Sequence, residues 1–142
     1  MSFVLDCSVT MTWLFDHEAT QETDELLGKL SGAEKAVVAQ HWVLEVVNVL
    51  LNAELSKKKT AADTTLFLNL LNKLAIESDA HTGHHATTTT LALGRRHKLS
   101  SYDAAYLELA MRLGLPLATL DKNLRKAAYA EGIAVLPEKI PR

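Results

Sequence analysis

The amino-acid sequence predicts an α/β domain in which a parallel sheet of four to five short strands is covered by helices on both faces. Short apolar segments alternate with amphipathic helical segments along the 142 residues, a pattern typical of covered parallel sheets. The residues are 48% hydrophobic and 23% charged, with 6 Gly and 3 Pro, which excludes a collagen-like or disordered chain. Because no repeat, linker or change of composition interrupts the pattern, we predict one domain over residues 1–142.

In the N-terminal half, turn and cap residues delimit the predicted elements. Gly32 ends the second helix and Thr60 can cap the fourth. The apolar run after Gly32 is too short for a helix and is predicted to be a strand. The elements are a strand at Phe3–Leu5, helices at Val9–Phe15 and Glu18–Leu30, a strand at Ala36–Ala39, and helices at His41–Lys58 and Ala62–Leu74.

The C-terminal half repeats the alternation. Ser100 or Ser101 caps a strongly periodic helix, which Gly114 and Pro116 end. The elements are a strand at Ile76–Ala80, a helix at Gly83–Arg96, the helix that begins at Ser100 or Ser101, a strand at Leu117–Leu120, a helix at Asn123–Ala130 and a strand at Ile133–Leu136.

Four acidic residues are the candidates for chemistry. Asp6 and Asp121 each follow a predicted strand, and the carboxyl ends of parallel strands form the crevice where such folds bind ligands. Asp103 lies in the first turn of its helix. Glu45 belongs to a narrow polar band, with Asn48, on an otherwise apolar helix. Purely structural roles stay open, because Asp can cap a helix and an acid favours a first turn.

Together, the four acids predict a metal site. Two carboxylates about 4 Å apart repel by roughly 4 kcal/mol at an effective dielectric constant near 20, so several in one pocket require compensation. A divalent cation supplies it. Oxygen ligands favour Mg²⁺ or Mn²⁺ over Zn²⁺.

Four segments, taken together and in order, resemble the PIN-domain family, in particular its small VapC-type toxins from toxin–antitoxin pairs. The resemblance implies a PIN-like three-layer α/β/α fold. The matching segments are Val4-Leu5-Asp6-Cys7-Ser8, Glu45 with Asn48, Leu99-Ser100-Ser101-Tyr102-Asp103-Ala104-Ala105-Tyr106-Leu107, and Leu117-Ala118-Thr119-Leu120-Asp121-Lys122-Asn123-Leu124.

The resemblance also implies an activity, Mg²⁺- or Mn²⁺-dependent hydrolysis of RNA phosphodiester bonds by the toxin of a type II pair. We expect Asp6, Asp103 and Asp121 to hold the metal. Glu45 would complete the cage or orient the attacking water. The supporting residues would be Ser8, Asn48 and Thr119. A toxin implies a cognate antitoxin as partner, and the apolar helices at His41–Leu55 and Ala62–Leu74 favour a homodimer.

The charge balance argues against a protein that holds nucleic acid mainly by bulk positive charge, because 17 Asp and Glu outnumber 15 Lys and Arg. RNA would instead be contacted by local basic clusters. Alternatively, these Lys and Arg residues have a structural role, in which their positive charges offset the helix dipole at helix C-termini. The candidate RNA contacts are Lys57, Arg95, Arg96, Lys122 and Arg125.

Two other functions are compatible with the sequence. A receiver-like signalling domain would accept phosphate on Asp79 or Asp6, although Asp6-Cys7 is not the adjacent acidic pair that such a domain needs. A non-catalytic PIN-fold binding module would need none of the acids. The single Cys7, the lack of a signal-like N-terminus and the lack of a long apolar run favour a cytoplasmic protein without a membrane segment.

Overall fold

Five parallel strands form one sheet in the order β3-β2-β1-β4-β5, in a computed structural model that describes residues 2–139. The helices complete a three-layer α/β/α arrangement, which confirms the predicted fold class. The strands are β1 (Phe3–Leu5), β2 (Ala36–Val38), β3 (Ile76–Ser78), β4 (Leu117–Ala118) and β5 (Val135–Leu136). The helices are α1 (Cys7–Thr12), α2 (Gln21–Leu30), α3 (Trp42–Leu55), α4 (Ala61–Asn72), α5 (Thr82–His85), α6 (Leu91–His97), α7 (Ser101–Leu113) and α8 (Lys122–Ala130).

The centre of the sheet is β1, which pairs with β2 on one side and β4 on the other. All three residues of β1 are buried and apolar, as expected of a strand covered on both faces. From β1 the chain builds outward through β2 and β3, then crosses back to β4 and β5. This reversal leaves a crevice at the carboxyl ends of β1 and β4, the position where open α/β sheets bind ligands.

Side-chain caps begin four of the described helices, namely α2, α4, α7 and α8. The Thr20 and Thr60 side chains each form a reciprocal capping box with the third residue of the helix that follows, and Ser100 Oγ accepts the backbone N–H of Asp103 at 3.1 Å. Gly114 ends α7 with a φ of 65°, a left-handed conformation that favours glycine. Ser100 and Gly114 thus define the two ends of α7, which carries Asp103.

Beyond shifts of a few residues at the ends of elements, two predicted helices differ in structure from the observed ones. The segment expected to be one helix at Gly83–Arg96 contains α5, a π-helical turn at Ala86–Thr90 and α6. Four consecutive threonines lie in this turn, and β-branched side chains crowd the preceding helical turn. The helix expected to start at Glu18 is preceded by a 3₁₀ turn at Asp16–Glu18, and α2 begins only after its Thr20 cap.

A buried ionic network joins β3 to α7. Arg112 donates two hydrogen bonds to Asp79, at 2.8 and 3.1 Å, and two to Glu108, at 2.7 and 3.0 Å. Both acids are buried, so each needs the guanidinium as a partner.

Within residues 2–139, no helix has the length and apolarity needed to cross a bilayer.

Candidate active site

Asp6 lies at the centre of the crevice, directly after β1. Its side chain is 5% exposed, and its Oδ2 accepts hydrogen bonds from Ser8 Oγ at 2.8 Å and Thr119 Oγ1 at 2.6 Å. Its side chain makes no capping bond to α1. Helix capping therefore does not explain Asp6, and the two hydroxyls hold its carboxylate in a fixed position.

The same two hydroxyls fix the loop that follows β4. Ser8 Oγ accepts the backbone N–H of Leu120 at 3.0 Å, and Thr119 Oγ1 accepts that of Asp121 at 3.1 Å. Each hydroxyl thus receives one hydrogen bond from the loop and donates one to Asp6. Both predicted supporting hydroxyls lie at the site and tie the ends of β1 and β4 together.

Asp121 caps a helix and also lies at the crevice. Its Oδ1 accepts the backbone N–H of Leu124 at 2.9 Å, which caps α8. The residue is exposed, and its charge acts on both Asp6 and Asp103. One carboxylate oxygen caps the helix, and the other remains available for a ligand.

Asp103 reaches the cluster from the first turn of α7. Within the described part of the chain its carboxylate accepts no hydrogen bond, although its backbone N–H is capped by Ser100. Burial, followed by the charges of Asp6 and Asp121, raises the pKa of Asp103 to about 6. A carboxylate in this setting gains from a nearby cation.

Glu45 enters from the first turn of α3 and is held by an aromatic pair. The hydroxyl of Tyr106 donates to Glu45 Oε1 at 2.5 Å. The ring of His41 packs edge-on against Tyr106, with ring centroids 4.9 Å apart, and its Nε2 lies 3.6 Å from the same oxygen. Burial raises the pKa of Glu45; the Tyr106 hydrogen bond opposes this shift, and the charges of Asp6 and Asp103 add to it.

The four carboxylates therefore act on one another electrostatically, although they come from four different elements. Their oxygens suit a hard divalent cation. No three His, Cys, Asp or Glu side chains among residues 2–139 form a group that could enclose a metal ion. The residues fit an open site, since Mg²⁺ typically binds one or two carboxylates and keeps several waters.

The PIN domain family model matches residues 3–129. The chain belongs to the PIN domain family. PIN domains are generally nucleases and generally depend on divalent metals.

Solved structures with the same fold cover nearly the whole PIN domain. PAE2754 from Pyrobaculum aerophilum has a TM-score of 0.67 at 20% identity, over 96% of this chain and 92% of that one. VapBC2 from Rickettsia felis, solved bound to a DNA fragment from its promoter, has a TM-score of 0.63 at 14% identity, over 95% of this chain and 97% of that one. A search of curated proteins found no match.

The remaining predicted residues lie in different settings. Asn48, one turn beyond Glu45, is exposed and makes no side-chain hydrogen bond within the described residues. Arg96 is exposed but donates to Glu131 at 2.9 Å. Lys57, Arg95 and Lys122 are exposed.

Arg125 differs from the expectation that it contacts RNA. Its side chain is buried, and the guanidinium donates to the backbone carbonyls of Thr119 at 2.8 Å, Pro137 at 2.7 Å and Glu138 at 3.2 Å. These bonds connect α8 to the ends of β4 and β5. Arg125 therefore acts in the PIN domain as a structural residue.

The surroundings of two other side chains make them unsuitable for chemistry, Asp79 as a phosphate acceptor and Cys7 as a nucleophile. Asp79 lies after the edge strand β3, with its carboxylate occupied by Arg112 and Thr82, so it offers no free oxygen to a phosphoryl group. Burial, with the charges of Glu45 and Asp6, raises the pKa of the Cys7 thiol to about 12. Cys7 is therefore protonated at neutral pH and is a poor nucleophile.

Sequence reasoning missed the two aromatic partners of Glu45. Tyr106 follows Asp103 by three residues, which places both on one face of α7, and this spacing could have identified it. His41, the N-cap of α3, precedes Glu45 by four residues, and the same one-turn spacing could have identified it. A search for polar groups one helical turn from each acid would have found both.

Proposed function

We propose that this PIN domain is an Mg²⁺- or Mn²⁺-dependent endoribonuclease and the toxin of a type II toxin–antitoxin pair. The observation that carries the proposal is the convergence of Asp6, Glu45, Asp103 and Asp121 at the carboxyl ends of β1 and β4. The charges of Asp6 and Asp121 both act on Asp103, and those of Asp6 and Asp103 act on Glu45. Family membership supports nuclease activity, and the choice of RNA rests on the resemblance to VapC-type toxins.

In the proposed mechanism, Asp6, Asp103 and Asp121 would hold the metal directly or through bound water, and Ser8 and Thr119 keep Asp6 in place. A bound divalent ion neutralises the phosphate and lowers the pKa of water.

Glu45 accepts a proton from the attacking water, since its raised pKa brings it closer to that of an effective general base. The water oxygen bonds to phosphorus and the bond to the 3′ oxygen breaks; the departing oxygen takes up a proton from solvent, giving a 5′-phosphate and a 3′-hydroxyl. Asn48 is one turn away on α3, where it could reach the substrate strand.

RNA would be guided to the acids by exposed basic side chains, namely Lys57, Arg95 and Lys122, with Arg96 as a weaker contributor. Arg96 is already paired with Glu131, so binding a phosphate would require breaking that ion pair. With a net charge of −2, the whole chain does not attract RNA, so binding outside the site would rest on these few local contacts and weaken as salt rises.

A cognate antitoxin is the second proposed partner. The structural likeness to VapBC2 supports this role, and the acidic cluster supports a specific mode of inhibition. An antitoxin segment could place an Arg or Lys among the four carboxylates, where its charge would compete with the metal. Such inhibition would weaken as the concentration of divalent ion rises.

A homodimer is proposed through the outer α3 face, which we define as Val43, Leu44, Val47, Leu51 and Leu55. Its leucines include some of the most exposed apolar side chains described, with Leu44 at 70% and Leu55 at 81%. A contiguous exposed apolar surface of this kind typically marks a protein interface. Leu66 of α4, also exposed, could extend it.

The test is cleavage of RNA by the purified protein with Mn²⁺, with Mg²⁺ and with a chelator, followed by mapping of the new 5′ ends. We expect cleavage only with metal, and loss of at least about 100-fold in rate for Asp6→Asn, in line with removal of a group that stabilises the transition state. Asp24→Asn, which removes an exposed acid from α2, is the matched control. Metal-independent cleavage, or full activity of Asp6→Asn, would contradict the proposal.

The same variants separate the nuclease from a non-catalytic PIN module in cells. A toxic nuclease predicts that expression of the wild type and Asp24→Asn stops growth, whereas Asp6→Asn does not. A binding module predicts equal effects of all three proteins. Single-stranded DNA of matching sequence, tested beside the RNA, would show whether the 2′-hydroxyl is required.

A further inference from the structure

A cavity of about 520 Å³ opens directly beside the acidic cluster. It lies between α1, the 3₁₀ turn at Asp16–Glu18 and the loop after β4. Its walls are formed by Ser8, Met11, Thr12, Glu18, Thr20, Leu120 and Asp121. Asp121 belongs to both the cavity and the cluster, and Ser8 lines the cavity while donating to Asp6. A strand whose phosphate is held at the carboxylates would therefore place a neighbouring group in the cavity.

The size and lining of the cavity favour an aromatic group. Its volume lies within the range of about 300–1,000 Å³ typical of small-ligand sites. Most of the exposed lining surface is apolar, and Met11 and Leu120 provide apolar walls. A methionine thioether makes favourable contacts with aromatic rings, so a nucleobase is well matched to these walls.

The charge of the rim excludes a phosphate as the occupant. Glu18 and Asp121 are both exposed acids on the cavity wall, and no lining residue is basic. A second phosphate would be repelled by these carboxylates, whereas a neutral base would not. The charges therefore favour a neutral base over a phosphate as the occupant of the cavity.

Glu18 offers the edge of that base a specific partner. Among residues 2–139 its carboxylate has no hydrogen-bond or ion-pair partner. An ionised carboxylate only accepts hydrogen bonds and can accept two in parallel. Guanine alone among the four RNA bases presents two adjacent donors, N1–H and N2–H₂, on its Watson–Crick edge; the other bases place an acceptor beside each donor.

We propose that this cavity is a guanine-selective subsite for the nucleotide that adjoins the cleaved bond, with Glu18 reading the base. The inference rests on the proposed ribonuclease function and deepens it by naming the base. Glu18 is thus a specificity-determining residue, and the walls formed by Met11 and Leu120 contact the ring without distinguishing bases.

Binding of mononucleotides tests the subsite without any hydrolysis. The protein, labelled with ¹³C at methionine methyl groups, is titrated with GMP, AMP, CMP and UMP in the presence of Mg²⁺. We expect GMP to shift the Met11 signal while Met111, on α7, stays unmoved as an internal control. GMP should bind about fivefold or more tightly than AMP, as a bidentate base contact provides.

Two variants test whether Glu18 selects the base. Glu18→Gln replaces one acceptor oxygen with a donor and should remove the preference for GMP while the protein stays folded, because the side chain is exposed. Asp16→Asn removes an equal charge from the same 3₁₀ turn but does not line the cavity, so it should keep the preference. Equal affinity for GMP and AMP, an unmoved Met11 signal at millimolar nucleotide, or an unchanged preference in Glu18→Gln would each overturn the proposal.

Mapping of RNA cleavage sites then separates this inference from the proposed function. Guanine should be enriched at one of the two positions flanking the cleaved bonds, and Glu18→Gln should lose the enrichment. Cleavage without any guanine preference would overturn the subsite and leave the nuclease intact. Selective GMP binding by a protein that cleaves no RNA would support the subsite and contradict the nuclease.

Discussion

Tyr106 determines where the Glu45 carboxylate can lie. The tyrosine is completely buried in α7, with its hydroxyl on Glu45 Oε1 and the His41 ring against its side. Glu45 itself is only half-buried, so without this hydrogen bond its side chain could rotate toward solvent. Orientation of the proposed base therefore depends on a residue that need not touch the substrate.

Tyr106→Phe should slow RNA cleavage about tenfold, since a hydrogen bond to a charged group is worth about 1.5–3 kcal/mol. The loss should fall on kcat and leave KM nearly unchanged. Because the hydroxyl favours the ionised carboxylate, its removal should raise the pKa of Glu45 further and move the acid limb of the pH–rate profile upward. Tyr129→Phe, at an exposed tyrosine, is the control, and an unmoved pH profile would contradict the role.

Asp103 makes metal-free stability depend on pH. Its carboxyl has a pKa of about 6 in the folded protein against an ordinary value of 3.8. The folded state therefore binds the Asp103 proton more tightly than the unfolded state does. The stabilisation that this proton provides is complete below pH 3.8 and is lost as pH rises through about 6.

Asp103→Asn should remove that loss and stabilise the chelator-treated protein at pH 7 by about 1 kcal/mol, after allowance for solvent screening. Urea unfolding at pH 4 and pH 7 measures the change. Mn²⁺ should then stabilise the wild type more than the variant. Asp24→Asn should behave like the wild type, and equal pH dependence of wild type and Asp103→Asn would refute the assignment.

The residues of the site were predictable by type and position, but their hydrogen bonds were not. Asp6 and Asp121 have the same context in the sequence, an acid between a strand and a helix. Only Asp121 caps its helix, because the Asp6 carboxylate is held by hydroxyls from its own turn and from Thr119, which is 113 residues away. Such long-range partners are invisible to local spacing.

At the scale of elements, Arg112 attaches β3 to α7. Arg112→Met would leave Asp79 and Glu108 buried without a counter-charge, which costs about 3–5 kcal/mol for a broken buried pair. The midpoint of urea unfolding should fall accordingly. Arg95→Met, an exposed change on α6, should alter it little. A stability loss in Arg112→Met no larger than in this control would show that the network contributes little.

Helices were predicted where caps and periodicity agree, and less well where side chains disturb the backbone. Thr60 and Ser100 begin α4 and α7 as expected. The π-helical turn at Ala86–Thr90 was not predicted, since it depends on how four threonines pack within a continuous helical path. Local propensity is a weak guide to such a turn, because tertiary context overrides it.

At the scale of the molecule, the position of the site follows from the order of the strands. Alternating strands and helices predicted a parallel sheet, but strand order depends on contacts between distant segments. The observed order places β4 beside β1, and only this neighbourhood lets Ser8 bond the loop after β4. The acids were thus recognisable from sequence, while their convergence required the topology.

The outer α3 face leads to a prediction for the whole assembly. Its side chains are apolar and exposed although α3 already buries Trp42, Val46 and Leu50 against the core. Covering the face in a second copy would remove that apolar surface from water at roughly 25 cal/mol per Å². The proposed dimer would therefore account for a helix with apolar residues on both its inner and outer faces.

Leu44→Lys combined with Leu51→Lys should convert the dimer to a monomer, because the two positions are seven residues apart on one helix face and would bring four charges to a two-fold interface. The changes should leave folding intact, since both side chains are solvent-exposed and Lys is a good helix former. Sedimentation velocity measures the outcome. Leu113→Lys, at an exposed leucine on α7, should keep the dimer. A wild type that sediments as a monomer, or a dimer that survives both lysines, would exclude the outer α3 face as the interface.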